Sequence, residues 1–147
     1  MRIAIGSDHI AFEFKRQIKE YLESQEHQLT DFGTYSTERV DYTDYGFVVG
    51  EAVANGDFER GILCCGTGIG ISIAANKVSG IRCVVCSEPY SAKASRAHND
   101  TNILSMGARV IGIEMAKMII DEWIQTPFER GRHLNRIEKI SAYEHKH

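Results

Sequence analysis

The feature that most narrows what this chain can fold into is a regular alternation between two hydrophobic periods. Short apolar runs at 2–6, 29–32, 61–65, 81–86 and 102–106 read as strands, the second of them weak. Between them lie longer stretches with helical spacing. Ile10, Phe14, Ile18 and Leu22 recur every four residues, with Lys15, Arg16, Lys19, Glu20 and Glu23 among them, and predict an amphipathic helix. Further helices are expected at 44–55, at 71–77, and after Ser87-Glu88-Pro89, where Ser87 resembles a cap and the proline comes early. Another is expected at 114–125, with Met115, Met118, Ile119 and Trp123 on one stripe and Pro127 closing it, and a last at 134–143. Residues 109–111 are expected to extend the fifth strand, and 33–43 reads as a polar loop. Strand–helix alternation of this kind predicts an α/β domain of three layers, a five-stranded parallel sheet between helices, filling 1–147 as one unit.

Composition removes several classes of function. The 147 residues carry 17 basic and 20 acidic side chains, a net charge of −3, so no basic field marks a nucleic-acid binder. No apolar run approaches the roughly 20 residues that span a bilayer, and the opening residues read as a strand rather than a signal segment. A cytoplasmic protein is the expectation. Cys83 and Cys86 form a C-x-x-C, but in a strand their sulfurs point to opposite faces, as do those of the adjacent Cys64 and Cys65. Cys64, Cys83 and Cys86 are expected to be small core residues.

Open parallel sheets bind ligands beyond the carboxyl ends of their strands, so the segments following strands matter most. Gly66, Gly68 and Gly70 alternate in the turn after the third strand, where a backbone can approach a ligand and the next helix offers free N–H groups. A dinucleotide fingerprint fails here, because Ile71 stands where its third glycine belongs. Cys65 is the last residue before this turn. A thiol beside a helix N-terminus has its anion favoured, and the same N–H groups can hold a developing oxyanion. Proton abstraction next to a carbonyl suits that pairing; nucleophilic attack on an acyl group and an inert cysteine stay open. Asp8 and His9 follow the first strand and suit either a helix cap or a site. His98 and Asn99 sit in a polar cluster of the same ambiguity. Arg132 and Arg136, four apart with His133 beside them, share a face if the last helix starts near Gly131, and would make a fork for phosphate or a solvated patch.

Taken together, Gly6-Ser7-Asp8-His9, Glu38-Arg39-Val40-Asp41-Tyr42, the run from Cys65 to Lys77, Ser87-Glu88-Pro89-Tyr90, His98-Asn99-Asp100-Thr101-Asn102 and Gly131-Arg132-His133 closely resemble the type B ribose-5-phosphate isomerases. These are grouped with the galactose-6-phosphate isomerases, and the likeness runs in order over nearly the whole chain. The resemblance implies a Rossmann-like subunit, a homodimer or dimer of dimers with sites shared between chains, and a last helix that packs on the partner. It implies Cys65 as the base between C1 and C2 of an open-chain sugar, with Gly66, Thr67, Gly68 and Gly70 holding the enediolate. His98 would open the furanose ring and Asp8 would assist proton transfer. Tyr42 and Asn99 would line the sugar, and His9, Arg109, Arg132 and Arg136 would hold the phosphate. No cofactor is expected, and no spacing of Asp, Glu and His suggests a metal. Thr43 departs from a proline expected in many relatives. Isomerisation of a six-carbon sugar phosphate, such as allose or galactose 6-phosphate, and a non-catalytic sugar-phosphate or nucleotide-binding module are the alternatives.

Overall fold

A computed structural model describes residues 1–146, so His147 of the expected 1–147 unit lies outside it. Strands β1 (Arg2–Ser7), β2 (Gln28–Asp31), β3 (Arg60–Cys65), β4 (Cys83–Val85) and β5 (Ile103–Gly107) form one sheet in the order β2-β1-β3-β5-β4, every pairing parallel. The helices are α1 (Phe12–Ser24), α2 (Tyr42–Ala54), α3 (Ile69–Asn76), α4 (Pro89–Asn99), α5 (Ile113–Gln125) and α6 (Gly131–Lys146). This is the Rossmann-like α/β fold with a five-stranded parallel sheet.

Period-two alternation divides the core between the two faces of the sheet. Ile3, Ile5, Ile62, Cys64, Leu104 and Met106 pack with Ile18 and Leu22 of α1, Ala92 of α4, and Ile119, Ile120 and Trp123 of α5. Ala4, Leu63, Cys65 and Ile103 point the other way, onto Val49 and Val53 of α2 and Ile71 and Ala75 of α3. Cys64 and Cys65 therefore separate to opposite faces, as the strand period requires. The chain leaves β1 for β2 on one side and returns to place β3 on the other. The winding reverses between β1 and β3, and a crevice opens beyond their carboxyl ends there.

Several boundaries differ from the sequence expectation for local reasons. Residues 109–111 are not strand: Val110 and Ile111 both donate to the Gly107 carbonyl, which folds them into a turn. The fourth strand is only Cys83–Val85, an edge strand paired with β5 alone. Glu88, not Ser87, caps α4, its carboxylate accepting the Ser91 N–H at 3.1 Å. Ile10 precedes α1 and is exposed, so it is not part of the buried stripe. In α5 the buried stripe is Ala116, Ile119, Ile120 and Trp123, and Met115 and Met118 face outward. The last helix begins three residues earlier than expected, at Gly131.

Candidate active site

Cys65 ends β3 opposite Gly107 of β5, at the reversal point of the sheet. It is 5 % exposed and forms part of the wall of a cavity of about 400 Å³ shared with Asp8, Ile10, Tyr42, Gly66, Thr67, Ile69 and Gly70. The turn beyond it is held from outside. Ala108 and Arg109 donate their N–H groups to the Cys65 and Gly66 carbonyls at 2.9 and 3.0 Å, and Ser105 Oγ donates to the Gly68 carbonyl at 2.6 Å. The Cys65, Gly66 and Gly68 carbonyls are thereby occupied. Gly68 N–H donates to Cys65 Sγ at 3.2 Å, and Ile69 N–H donates to Thr67 Oγ1 at 3.2 Å. The first N–H groups of α3 have no partner within their own helix.

Two glycines here answer to geometry. Gly68 caps α3 at a φ of +79°, and a Cβ on it would lie 2.8 Å from the Met106 carbonyl carbon. A Cβ on Gly70 would lie 2.6 Å from the Tyr42 ring, which leans over this glycine from the first turn of α2. Gly70 belongs to the helix rather than to the turn before it. Gly107 was silent in the sequence, yet a Cβ there would meet the Thr67 backbone at 2.6 Å. Ser105 and Gly107 shape the turn from a neighbouring strand, and only sheet pairing reveals that.

Asp8 is both a cap and a wall of the cavity. Its Oδ1 accepts the Ala11 N–H at 3.1 Å at the entry to α1, and its own N–H donates to the Cys64 carbonyl at 3.3 Å. His9 Nδ1 accepts the Val40 N–H at 3.2 Å, which leaves the proton on Nε2 as a donor. Arg109, exposed after β5, runs past the turn, its Cδ 3.8 Å from where a Gly66 Cβ would be. The other cysteines sit differently. Burial pushes the thiols of Cys64 and Cys83 upward, and that of Cys86 to about 12, so each stays protonated.

The remaining expected residues are not brought to this cavity within one chain. His98 and Asn99 end α4, which lies on the face opposite the Cys65 side chain. They precede the first residue of β5, whereas Cys65 pairs with its last, so about 13 Å of strand separates the two edges. Arg132 and Arg136 are exposed on the first turns of α6, on one face as their spacing requires. His133 is not beside them. It turns inward, 6 % exposed, and stacks on His98 with ring centroids 4.4 Å apart and planes 16° from parallel. Glu129, which the sequence did not single out, places one carboxylate oxygen 3.6 Å from His133 Nε2 and 3.9 Å from His98 Nε2. Three atoms able to ligate a metal thus come within 4.8 Å of one another from positions whose spacing gave no sign of it. Each imidazole lone pair lies in its ring plane, however. Two nearly parallel planes do not meet at an ion about 2.0 Å from both nitrogens. The arrangement suits a stacked pair sharing a carboxylate.

The family model for Ribose/Galactose Isomerase matches residues 3–140. The chain belongs to this family. It is 54 % identical over 145 residues to ribose-5-phosphate isomerase B of Escherichia coli strain K12, covering 99 % of this chain and 97 % of that one. Among solved structures, Clostridium thermocellum ribose-5-phosphate isomerase B superposes with a TM-score of 0.98 at 51 % identity, covering 99 % of each chain. The Mycoplasma genitalium ribose-5-phosphate isomerase B, solved with bound ribulose-5-phosphate, gives a TM-score of 0.95 at 36 % identity, covering 99 % of this chain and 97 % of that one. Among the described residues no helix is long and apolar enough to cross a membrane.

Proposed function

We propose that the chain is an aldose–ketose isomerase that interconverts ribose 5-phosphate and ribulose 5-phosphate, with Cys65 as its base. The observation that carries the mechanism is the Cys65 sulfur on a cavity wall, accepting the Gly68 N–H at the start of α3. The thiolate takes the proton from C2 of the open-chain aldose. The C–H electron pair forms the C1=C2 bond, and O1 becomes the oxyanion. N–H groups of the Gly66–Gly68 turn and of the first turn of α3 through Gly70, with the Thr67 hydroxyl, stabilise that charge. Asp8 passes the O2 proton to O1, and the thiol returns its proton to C1 to give the ketose. Each step moves a proton and nothing else, so the scheme calls for no cofactor.

His98 opens the furanose, Tyr42 and Asn99 line the sugar, and His9, Arg109, Arg132 and Arg136 hold the phosphate. A second copy of the chain supplies His98, Asn99, Arg132 and Arg136, because the fold keeps them on the far edge and face from Cys65. Self-association is supported by exposed apolar side chains on α2 and α3, among them Phe47, Val48, Ile69 and Ile73. The assembly is a homodimer or a dimer of dimers, and α6 packs on the partner. We take the compartment to be the cytoplasm, where a thiol base among free cysteines stays reduced.

The test is incubation of the purified chain with ribose 5-phosphate in a metal chelator. Ketose should form, with kcat/KM at least about tenfold above the values for allose and galactose 6-phosphates. A six-carbon phosphate turned over faster would transfer the assignment to that substrate. No ketose from any of the three would overturn it.

A further inference from the structure

Outside the cavity, a group of titratable side chains gathers at the end of α4. His98 is the last residue but one of that helix, 44 % exposed at the side chain. Its ring lies flat against His133, the third residue of α6. Between the two helices, the Glu129 N–H donates to the Ala97 carbonyl at 3.0 Å and fixes the connecting segment against α4. His133 N–H donates to the Arg130 carbonyl at 3.0 Å. The carboxylate of Glu129 is thereby held beside the Nε2 atoms of both rings, at ion-pair rather than hydrogen-bond distance. Desolvation, together with the positive potential of His98, Arg132 and Arg136, holds His133 below its ordinary value against the opposing pull of Glu129. One ring of the stack is buried; the other is open to solvent and faces a carboxylate.

We propose that His133 and Glu129 are positioning residues for His98, the first fixing the plane of its ring and the second stabilising its protonated form. This rests on the ring-opening role given to His98 above. In that step the C1–O4 bond breaks with its electron pair going to O4, the O1 proton leaves as the C1=O carbonyl forms, and O4 gains a proton. His98 takes the first proton and delivers the second, so it passes through the imidazolium and returns to its starting state. An imidazolium needs a counter-charge, and Glu129 is the carboxylate within reach. A cation stacked on a second cation would be repelled, so a neutral His133 is the platform that allows it. With two ordinary torsions and no neighbour, an exposed histidine at a helix end samples several rotamers. The stack removes that freedom before substrate arrives.

The substrate pair that separates this from structural damage is ribose 5-phosphate and 4-deoxyribose 5-phosphate. The second lacks the hydroxyl that closes the furanose and is open-chain throughout, with the same carbonyl end and phosphate. Glu129→Gln and His133→Ala should each lower kcat/KM on ribose 5-phosphate at least about tenfold and leave the open-chain analogue within about twofold of normal. His133→Phe restores a flat neutral ring and should recover most of the loss. Equal slowing on both substrates would mean that the changes disturb α6 and its arginines, and would overturn the proposal, as would no slowing on either. His98→Asn is the reference. If it too slows both substrates equally, the ring-opening role itself fails. If the unaltered chain ignores the open-chain analogue, the enediolate mechanism fails.

Discussion

At the scale of single residues, four cysteines of one chain have two different fates. Cys64 and Cys86 are buried and Cys83 half-buried, and desolvation raises all three. Cys65 differs by one step of the strand. That step carries its sulfur across the sheet and onto a cavity with an N–H aimed at it. Replacing Cys65 by Ala should therefore lower kcat by more than about a hundredfold, the usual worth of a positioned base. Affinity for ribitol 5-phosphate, which has no carbonyl and is gripped at its phosphate, should change less than about threefold. Steady-state kinetics and titration calorimetry read the two effects separately. A variant with normal turnover would remove Cys65 from the reaction, and one that also loses the ligand would make it a packing residue.

At the scale of elements, the turn between β3 and α3 is where fold and chemistry depend on the same atoms. Gly68 has a left-handed backbone and touches the Met106 carbonyl, so Gly68→Ala adds strain of about 1–3 kcal/mol and a steric clash besides. A thermal melt should show the midpoint falling by several degrees, since about 1 kcal/mol corresponds to ~2–4 °C in a chain of this size. Activity should fall further than stability, because the Gly68 N–H moves with its Cα. An unchanged melt would mean that the turn relaxes freely. The docking of α6 on α4 has its own signature. His133 is held below its ordinary value, chiefly by desolvation, so the unfolded chain takes up the proton first as pH falls. Stability should be constant above about 6.5 and decline below it, until the folded state is protonated too. Urea midpoints at neutral and mildly acidic pH measure the decline, and His133→Phe should reduce it. An identical slope in that variant would assign the decline to other groups. These two elements also mark what the sequence could convey. The glycine turn was legible because glycine is tied to local backbone conformation, and the strand–helix order because periodicity is local too. The stacking of His98 on His133 and the support of the turn by Ser105 and Gly107 were not legible, since they depend on which strands and helices become neighbours. The outward Met115 and Met118 were misread for the same reason: spacing defines a helical stripe, but packing chooses which stripe is buried.

At the scale of the whole molecule, the fold sets a problem that one chain does not solve. Cys65, the proposed base, stands at the carboxyl edge of the sheet on the α2–α3 face, and His98, proposed for ring opening, stands at the amino edge on the other. A helix after a parallel strand runs back along the sheet, so the end of α4 is bound to lie away from the crevice whatever its sequence. The proposed second copy, related by a two-fold axis, would solve the problem twice over, each copy contributing its α4 end to the other's crevice. The consequence is measurable on ribose 5-phosphate by mixing two impaired variants, Cys65→Ala and His98→Asn. In a hybrid dimer one crevice inherits both defects and the other inherits neither. Random re-pairing after mild dissociation should then restore about one quarter of the normal number of sites, half the dimers being hybrids with half their sites intact. Restored activity should appear only after subunit exchange and should have the normal KM, since the restored site is unaltered. Activity that stays at the level of the separate variants, with exchange verified by mass, would show that Cys65 and His98 do not meet across an interface. The ring-opening histidine would then have to be sought among the side chains already around the Cys65 cavity, where His9 stands nearest in sequence to the wall residue Asp8.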